Sequence, residues 1–390
     1  MNWFGRKKRR LFLILCTALC LALAGCGTAP SGGESAPIEK EEKTQEQTRE
    51  EALEDMLDDV IGEVTVSEEG GIPCASVDVY AMTTAMQLKG YGERAGEAVQ
   101  AAAEEILRLD RLLSVGKAES EIAVINRDGT GPVSEDTLQM IKEAVRVHER
   151  SGGALDITVY PMMDLWGFTS ENYRVPSEEE IRNTLALVDQ SRIVIDESTD
   201  PATVTLGEGQ GIDLGAIAKG FTSARVARIF KDYGLTSGLI YLGGNVQCFG
   251  SKVTGADWKI GIQDPENSAG IAGILEVSGM AVITSGAYER YFTDEETGKT
   301  YHHILDPATG YPAQTGLSSV TIVSSDGMLA DTLSTACFVL GLEKSTDYWR
   351  EYGDDFEMIL LDQEGTIYLT EGLEKKFTTQ DHKVKILYRN

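Results

Sequence analysis

The sequence predicts an α+β fold in a single globular body, with mixed or antiparallel sheets and packed helices. Two observations carry this. From residue 77 onward, β-prone runs and stretches of helical period interleave without a regular βα alternation, and several strand candidates follow one another directly. The roughly 320 residues after a polar N-terminal segment also suffice to bury a sizeable core without disulfide staples. No internal repeat is found.

Taken in order, Val77, Val79 and Ala81 alternate as in a half-buried strand. Residues 94–113 carry helical periodicity, and further helices are expected at 135–150 and 178–188. The runs 193–195 and 203–205, separated by polar turn residues, read as a hairpin. Residues 216–233 read as a helix and 238–242 as a strand ending at Gly243-Gly244. Strands follow at 258–262, 274–277, 282–284 and 320–323, then a helix at 328–340 and a strand-rich C-terminus.

The N-terminal segment reads differently. Five basic residues at 6–10 precede an apolar run at 11–24 that is too short to span a bilayer, the pattern of a secretory signal. Leu23-Ala24-Gly25-Cys26 resembles the bacterial lipobox, which implies cleavage before Cys26 and a diacylglyceryl group on its sulfur. Residues 1–25 are thus expected to be a lipoprotein signal peptide. Residues 26–72, rich in Ser, Gly, Glu, Lys and Gln, are expected to be a lipidated Cys and polar tether, and 73–390 the catalytic body. Within the tether, Leu53, Met56, Leu57, Val60 and Ile61 form an amphipathic helical stripe. The expected location is the extracytoplasmic face of a bacterial cell membrane, anchored through lipid at Cys26.

Removing residues 1–25 removes five basic and no acidic residues, so the formal charge goes from −27 to −32. Such a chain repels phosphate backbones, which excludes nucleic acid as a partner. An anionic substrate must then be held by a metal or by a few local cations. Cys74, Cys248 and Cys337 lack C-x-x-C spacing, which excludes a disulfide framework and a zinc cluster.

Four segments carry candidate chemistry. Two of the four histidines, His302 and His303, precede Asp306, Pro307 and Gly310. The Pro and Gly make a rigid turn, which holds imidazole and carboxylate close together. The same residues also suit a plain turn whose Asp caps its own backbone. In the second segment, residues 211–220, small residues lead into a helix and carry Lys219, so that backbone N–H groups and an ammonium could face a phosphate. Lys219 precedes Gly220, so this is not a Walker A loop, and no G-x-S-x-G elbow occurs anywhere. In the third, Asp331 and Thr335 stand at i and i+4 and share a helical face, which suits a hard cation such as Mg²⁺, though taken alone the pair reads more readily as an ordinary helix start. In the fourth, Gly153-Ala154-Leu155-Asp156 allows close backbone approach, and Trp166 and Phe168 beyond it read more readily as core than as a cofactor box.

Together these segments resemble the FAD:protein FMN transferase (ApbE) family. The matching stretches are G-A-L-D-I-T-V-Y-P, I-D-L-G-A-I-A-K-G-F, Y-L-G-G-N, W-K-I-G-I-Q-D-P, S-G-A-Y-E-R-Y-F, H-H-I-L-D-P-A-T-G-Y-P and A-D-T-L-S-T-A, in that order, with a looser match around Met82. The resemblance runs from about residue 77 to 342. It implies an ApbE-like, T-fold-like architecture. It also implies FAD as substrate, Mg²⁺ as cofactor, and transfer of FMN onto a threonine of an acceptor protein with release of AMP. The implied acceptors are subunits of membrane redox complexes, of the sodium-pumping NADH:quinone reductase or Rnf type. Carried over residue by residue, the metal would be held by Ala216, Asp331 and Thr335 with Ser334 beside them. FAD would be contacted by Met82, Ala154, Leu155, Asp156, Asp213, Lys219 and Leu305. His303 would be the catalytic base, with Asp306 orienting it. The chain departs from the family at Val115-Gly116-Lys117, where many members carry an aromatic residue for the flavin ring. An FAD pyrophosphatase using water as acceptor, or a flavin-binding lipoprotein without catalysis, would share most of these features.

Overall fold

Buried and exposed side chains alternate along the strand Ile72–Ala81, with Val77, Val79 and Ala81 all facing inward. This strand lies near one edge of the main sheet in the computed structural model, which describes residues 60–390. In chain order the eleven strands of that sheet are Val60–Ile61 (β1), Thr65–Glu69 (β2), Ile72–Ala81 (β3), Thr84–Tyr91 (β4), Ser237–Leu242 (β5) and Asn245–Phe249 (β6). The series continues with Ala281–Gly286 (β7), Leu317–Ser324 (β8), Phe356–Asp362 (β9), Thr366–Thr370 (β10) and Lys383–Leu387 (β11). From β3 onward each strand neighbours the next in the chain, and only the last pair, β10 with β11, is parallel. The sheet is therefore mixed and mainly antiparallel, as the adjacency of strand signals predicted.

Helices fill the long connections. Between β4 and β5 lie Ala95–Leu113 (α1), Glu121–Asp128 (α2), Glu135–Arg150 (α3), Tyr160–Leu165 (α4), Glu178–Leu185 (α5) and Ala218–Asp232 (α6). Gly327–Tyr352 (α7) joins β8 to β9. The expected hairpin forms, Val194–Asp196 against Ala202–Thr205, and Thr130–Val133 adds a third strand to it. α7 outruns its predicted end at residue 340 because Gly341, at φ 75°, breaks the helix without stopping the chain from resuming it. Leu333, Ala336, Cys337 and Phe338 of α7 pack with Ile283 of β7 and with Val320 and Ile322 of β8 in the largest core cluster.

One element differs in kind from its prediction. Val60 and Ile61, read as the end of a helical stripe, are extended and pair with Tyr80 and Val79 of β3. The β3 edge offers unpaired backbone groups, and Ile61 packs on the cluster beneath β3 and β4, so tertiary pairing overrides the local period. With β2 also paired to β3, residues 60–61 and 65–69 of the predicted tether lie in the sheet. Cys26, the signal, and Leu53, Met56 and Leu57 of the stripe lie outside the described residues.

Candidate active site

α6 and α7 touch at their N-terminal ends. A Cβ on Gly220 would lie 2.2 Å from the Gly327 carbonyl oxygen and 2.4 Å from Asp331 Cβ, so only glycine permits the approach. Asp331, 4% exposed on α7, accepts from the Gly220 backbone N–H at 2.7 Å and from Asn245 Nδ2 at 3.0 Å. Gly220 thus serves helix contact, and its amide, one of the backbone N–H groups of 211–220 that could face a phosphate, is taken by a carboxylate. Lys219 remains available, with no ion pair among the described residues. Its charge acts on Asp213, His303 and Asp331.

A hydroxyl cluster extends from Asp331. Ser285 Oγ on β7 lies 2.8 Å from Ser334 Oγ and 3.2 Å from Thr335 Oγ1, and Ser334 Oγ donates to the Asp331 carbonyl at 2.8 Å. Among the described residues no group of three His, Cys, Asp or Glu could hold a metal ion. A cation here would be bound by one carboxylate, hydroxyls and a backbone carbonyl, a donor set for a hard, oxygen-seeking ion. Burial pushes the Asp331 carboxyl up, opposed by Lys219, the Gly220 N–H and Asn245. A divalent cation would favour its ionised form.

The two histidines part ways: His302 ends the short strand Thr300–His302 and His303 lies just past it. His302 donates its Nε2–H to the Ala313 carbonyl at 3.0 Å and meets the ring of Phe338 edge-on. His303 turns the other way. Its backbone N–H and its ring Nδ1 both reach the Arg290 carbonyl, at 3.0 and 3.1 Å. Burial, then the Arg290 charge, with smaller effects of His302 and Lys219, hold its imidazole down to about 3. The group that orients His303 is therefore Arg290. Asp306, expected in that role, spends its carboxylate on its own turn, accepting from Ala308 N at 2.9 Å and from Thr309 Oγ1 at 3.3 Å. Trp166 Nε1 fastens that turn to the body through the Gly310 carbonyl at 2.9 Å. Leu305 bridges to Pro312 and is buried with Met162, Trp166 and Phe168, and the two aromatic residues are core, as expected.

Asp213 is half-buried and accepts from Gly215 N at 2.6 Å; burial pushes its carboxyl up, opposed by the charges of Arg290 and Lys219. Its backbone N–H donates to the Ile157 carbonyl at 2.9 Å, which brings the 154–157 segment alongside. There Leu155 is core, Ala154 is half-buried, and Asp156 is wholly engaged, accepting from Thr158 N at 2.8 Å and Gln190 N at 3.1 Å. Asp156 thus shapes the segment and presents no free carboxylate to a ligand. Met82 occupies the β3–β4 turn at φ 50° and reaches α6 through its sulfur, 3.9 Å from Thr222 Oγ1. Ala216 precedes α6, and its carbonyl takes no hydrogen bond among the described residues, which suits a cation ligand.

Sequence reasoning missed Asn245, Ser285 and Arg290. Each stands in or beside a motif already singled out (Y-L-G-G-N and S-G-A-Y-E-R-Y-F), yet partners distant in sequence give each its role. The whole places two cations (Lys219 and Arg290), a neutral imidazole and an oxygen-lined carboxylate around one region. That suits the breaking of an anhydride between two phosphates.

A profile of the ApbE family matches residues 82–360. The FAD:protein FMN transferase of Klebsiella pneumoniae (strain 342) is 35% identical over 287 residues, covering 72% of this chain and 87% of that protein. That of Treponema pallidum (strain Nichols) is 35% identical over 289 residues, covering 69% and 79%. The crystal structure of the ApbE protein from Thermotoga maritima MSB8 aligns with TM-score 0.72 at 31% identity, covering 80% of this chain and 99% of that one. The Pseudomonas stutzeri flavinyl transferase ApbE, apo form, aligns with TM-score 0.65 at 27% identity, covering 82% and 98%.

Proposed function

The chain belongs to the ApbE family, and on that premise we propose that it is a flavin transferase that moves the FMN half of FAD onto a threonine hydroxyl of an acceptor protein. Mg²⁺ is the cofactor and AMP the leaving group. The observation that carries the reading is that the charge of Lys219 acts on both Asp331 and His303, whose ring is held by the Arg290 carbonyl.

The threonine oxygen attacks the FMN phosphorus, the P–O bond to the AMP phosphate breaks, and the bridging oxygen leaves with AMP. His303 receives the hydroxyl proton at Nε2, the nitrogen left open by the Nδ1 contact with Arg290. Lys219 and Arg290 offset negative charge on the diphosphate. The Ala216 carbonyl, Asp331 and Thr335, with Ser334 beside them, would hold Mg²⁺, which when bound would supply positive charge to offset the negative charge of the diphosphate. FAD lies against Met82, Ala154, Leu155, Asp213 and Leu305, with Asp156 fixing the backbone beneath.

The chain is lipid-anchored at Cys26 on the extracytoplasmic face and modifies subunits of membrane redox complexes. The motivation is the basic, apolar and Leu-Ala-Gly-Cys pattern of residues 6–26. Fractionation of a Cys26→Ala protein tests the anchor, and membrane retention equal to wild type would refute it. Incubation with FAD, Mg²⁺ and an acceptor protein, followed by mass analysis, tests the activity: AMP and protein-bound FMN should appear in equal amounts. Free FMN without adduct would identify a pyrophosphatase instead.

A further inference from the structure

The turn between β3 and β4 is built in an unfavourable conformation. Met82 and Thr83 have φ of 50° and 58°, the left-handed region that Asn-Gly ordinarily supplies in a two-residue hairpin. A β-branched residue is poorly suited to it, so contacts outside the turn must hold it there. The Met82 backbone N–H donates to Asp110 Oδ1 at 3.0 Å, and Asp110 Oδ2 accepts from Lys117 Nζ at 2.8 Å. Asp110 is 7% exposed near the end of α1, and Lys117 lies in the loop that follows. Gly243 packs close beneath: a Cβ there would lie 2.1 Å from Thr84 Oγ1. Held this way, the Met82 sulfur comes 3.9 Å from Thr222 Oγ1, one turn along α6 from Lys219.

We propose that the Lys117–Asp110 ion pair is a positioning device that holds Met82 in its left-handed turn and thereby sets the affinity for FAD. The inference rests on Met82 being part of the flavin site. Lys117 belongs to the Val115-Gly116-Lys117 segment, to which nothing in the proposed chemistry otherwise gives a role. The ion pair acts on binding, because it holds the turn equally before and during bond breaking.

The test uses the full chain, with FAD affinity read by flavin fluorescence and turnover by AMP release. Lys117→Met should raise Kd and KM for FAD about tenfold, leave kcat within about twofold, and be largely rescued by Lys117→Arg. Adding Thr83→Gly to Lys117→Met should restore affinity to within about threefold, because glycine adopts positive φ without help. Wild-type affinity in Lys117→Met, or a loss that Thr83→Gly does not repair, would overturn the proposal. If Lys117→Met does not fold, Asp110→Asn, which keeps an acceptor for Met82 N–H but removes the ion pair, must show the same direction of loss. An unchanged affinity there would overturn it too. A wild-type protein that binds FAD but releases no AMP counts against flavin transfer, while the Kd series still decides the role of the ion pair.

Discussion

The carbonyl oxygen of Arg290 receives both the backbone N–H and the ring Nδ1 of His303, at 3.0 and 3.1 Å. One peptide group thus fixes the strand end and the ring tautomer together, leaving Nε2 as the open lone pair. The Arg290 guanidinium is itself tied to the Phe168 carbonyl. The residue that aims the imidazole also lowers its basicity.

The pH dependence of stability follows. His303 titrates at about 3 in the folded chain, against an ordinary value of 6.5. The unfolded chain therefore takes up a proton first as pH falls. The contribution is fully present above 6.5 and is lost as pH drops toward 3. Thermal melts from pH 7 to 4 should show a falling midpoint, and His303→Asn should flatten part of that slope.

Arg290→Gln should raise the basicity of His303, since the Arg290 charge is the second largest cause of its depression after burial. The acid limb of kcat/KM for FAD should move to higher pH. Turnover should fall as well, because a cation beside the diphosphate is lost. A limb that stays in place would show that the guanidinium does not act on the ring.

Asp331→Ala should cost about 1–3 kcal/mol, because the Gly220 N–H and the Asn245 amide lose their acceptor in a buried place. Metal dependence should weaken with it. In the wild type, burial holds the carboxyl above its usual range, so apparent Mg²⁺ affinity should rise with pH across the acid range. Titrations of AMP release against Mg²⁺ at several pH values check both.

Asp306→Ala should lower the melting temperature through the loss of its contacts with Ala308 and Thr309, about 1 kcal/mol. Turnover should stay within about threefold, as Asp306 makes no contact with the His303 ring. A loss comparable to that of His303→Ala would return Asp306 to the catalytic apparatus.

The sequence made the mixed, mainly antiparallel pairing legible because several strand signals follow one another directly, and it made the Asp331–Thr335 face legible because helical period is local. What it concealed depends on distant partners. Asp306 and Asp156 look like free carboxylates until Ala308, Thr309, Thr158 and Gln190 are seen to occupy them. Arg290 looks like an ordinary basic residue until its carbonyl is found on His303, 13 residues away. Val60 and Ile61 obey a helical period, yet their fate was decided by the open edge of β3.

The central claim, that His303 takes the acceptor proton at a site built by Lys219, Arg290 and Asp331, is tested most directly by single-turnover AMP release in His303→Ala and His302→Ala. The account predicts a loss of roughly 10²–10⁴-fold in His303→Ala with FAD affinity nearly intact, and a much smaller effect in His302→Ala, whose ring faces Phe338. Release abolished in His302→Ala and preserved in His303→Ala would contradict it.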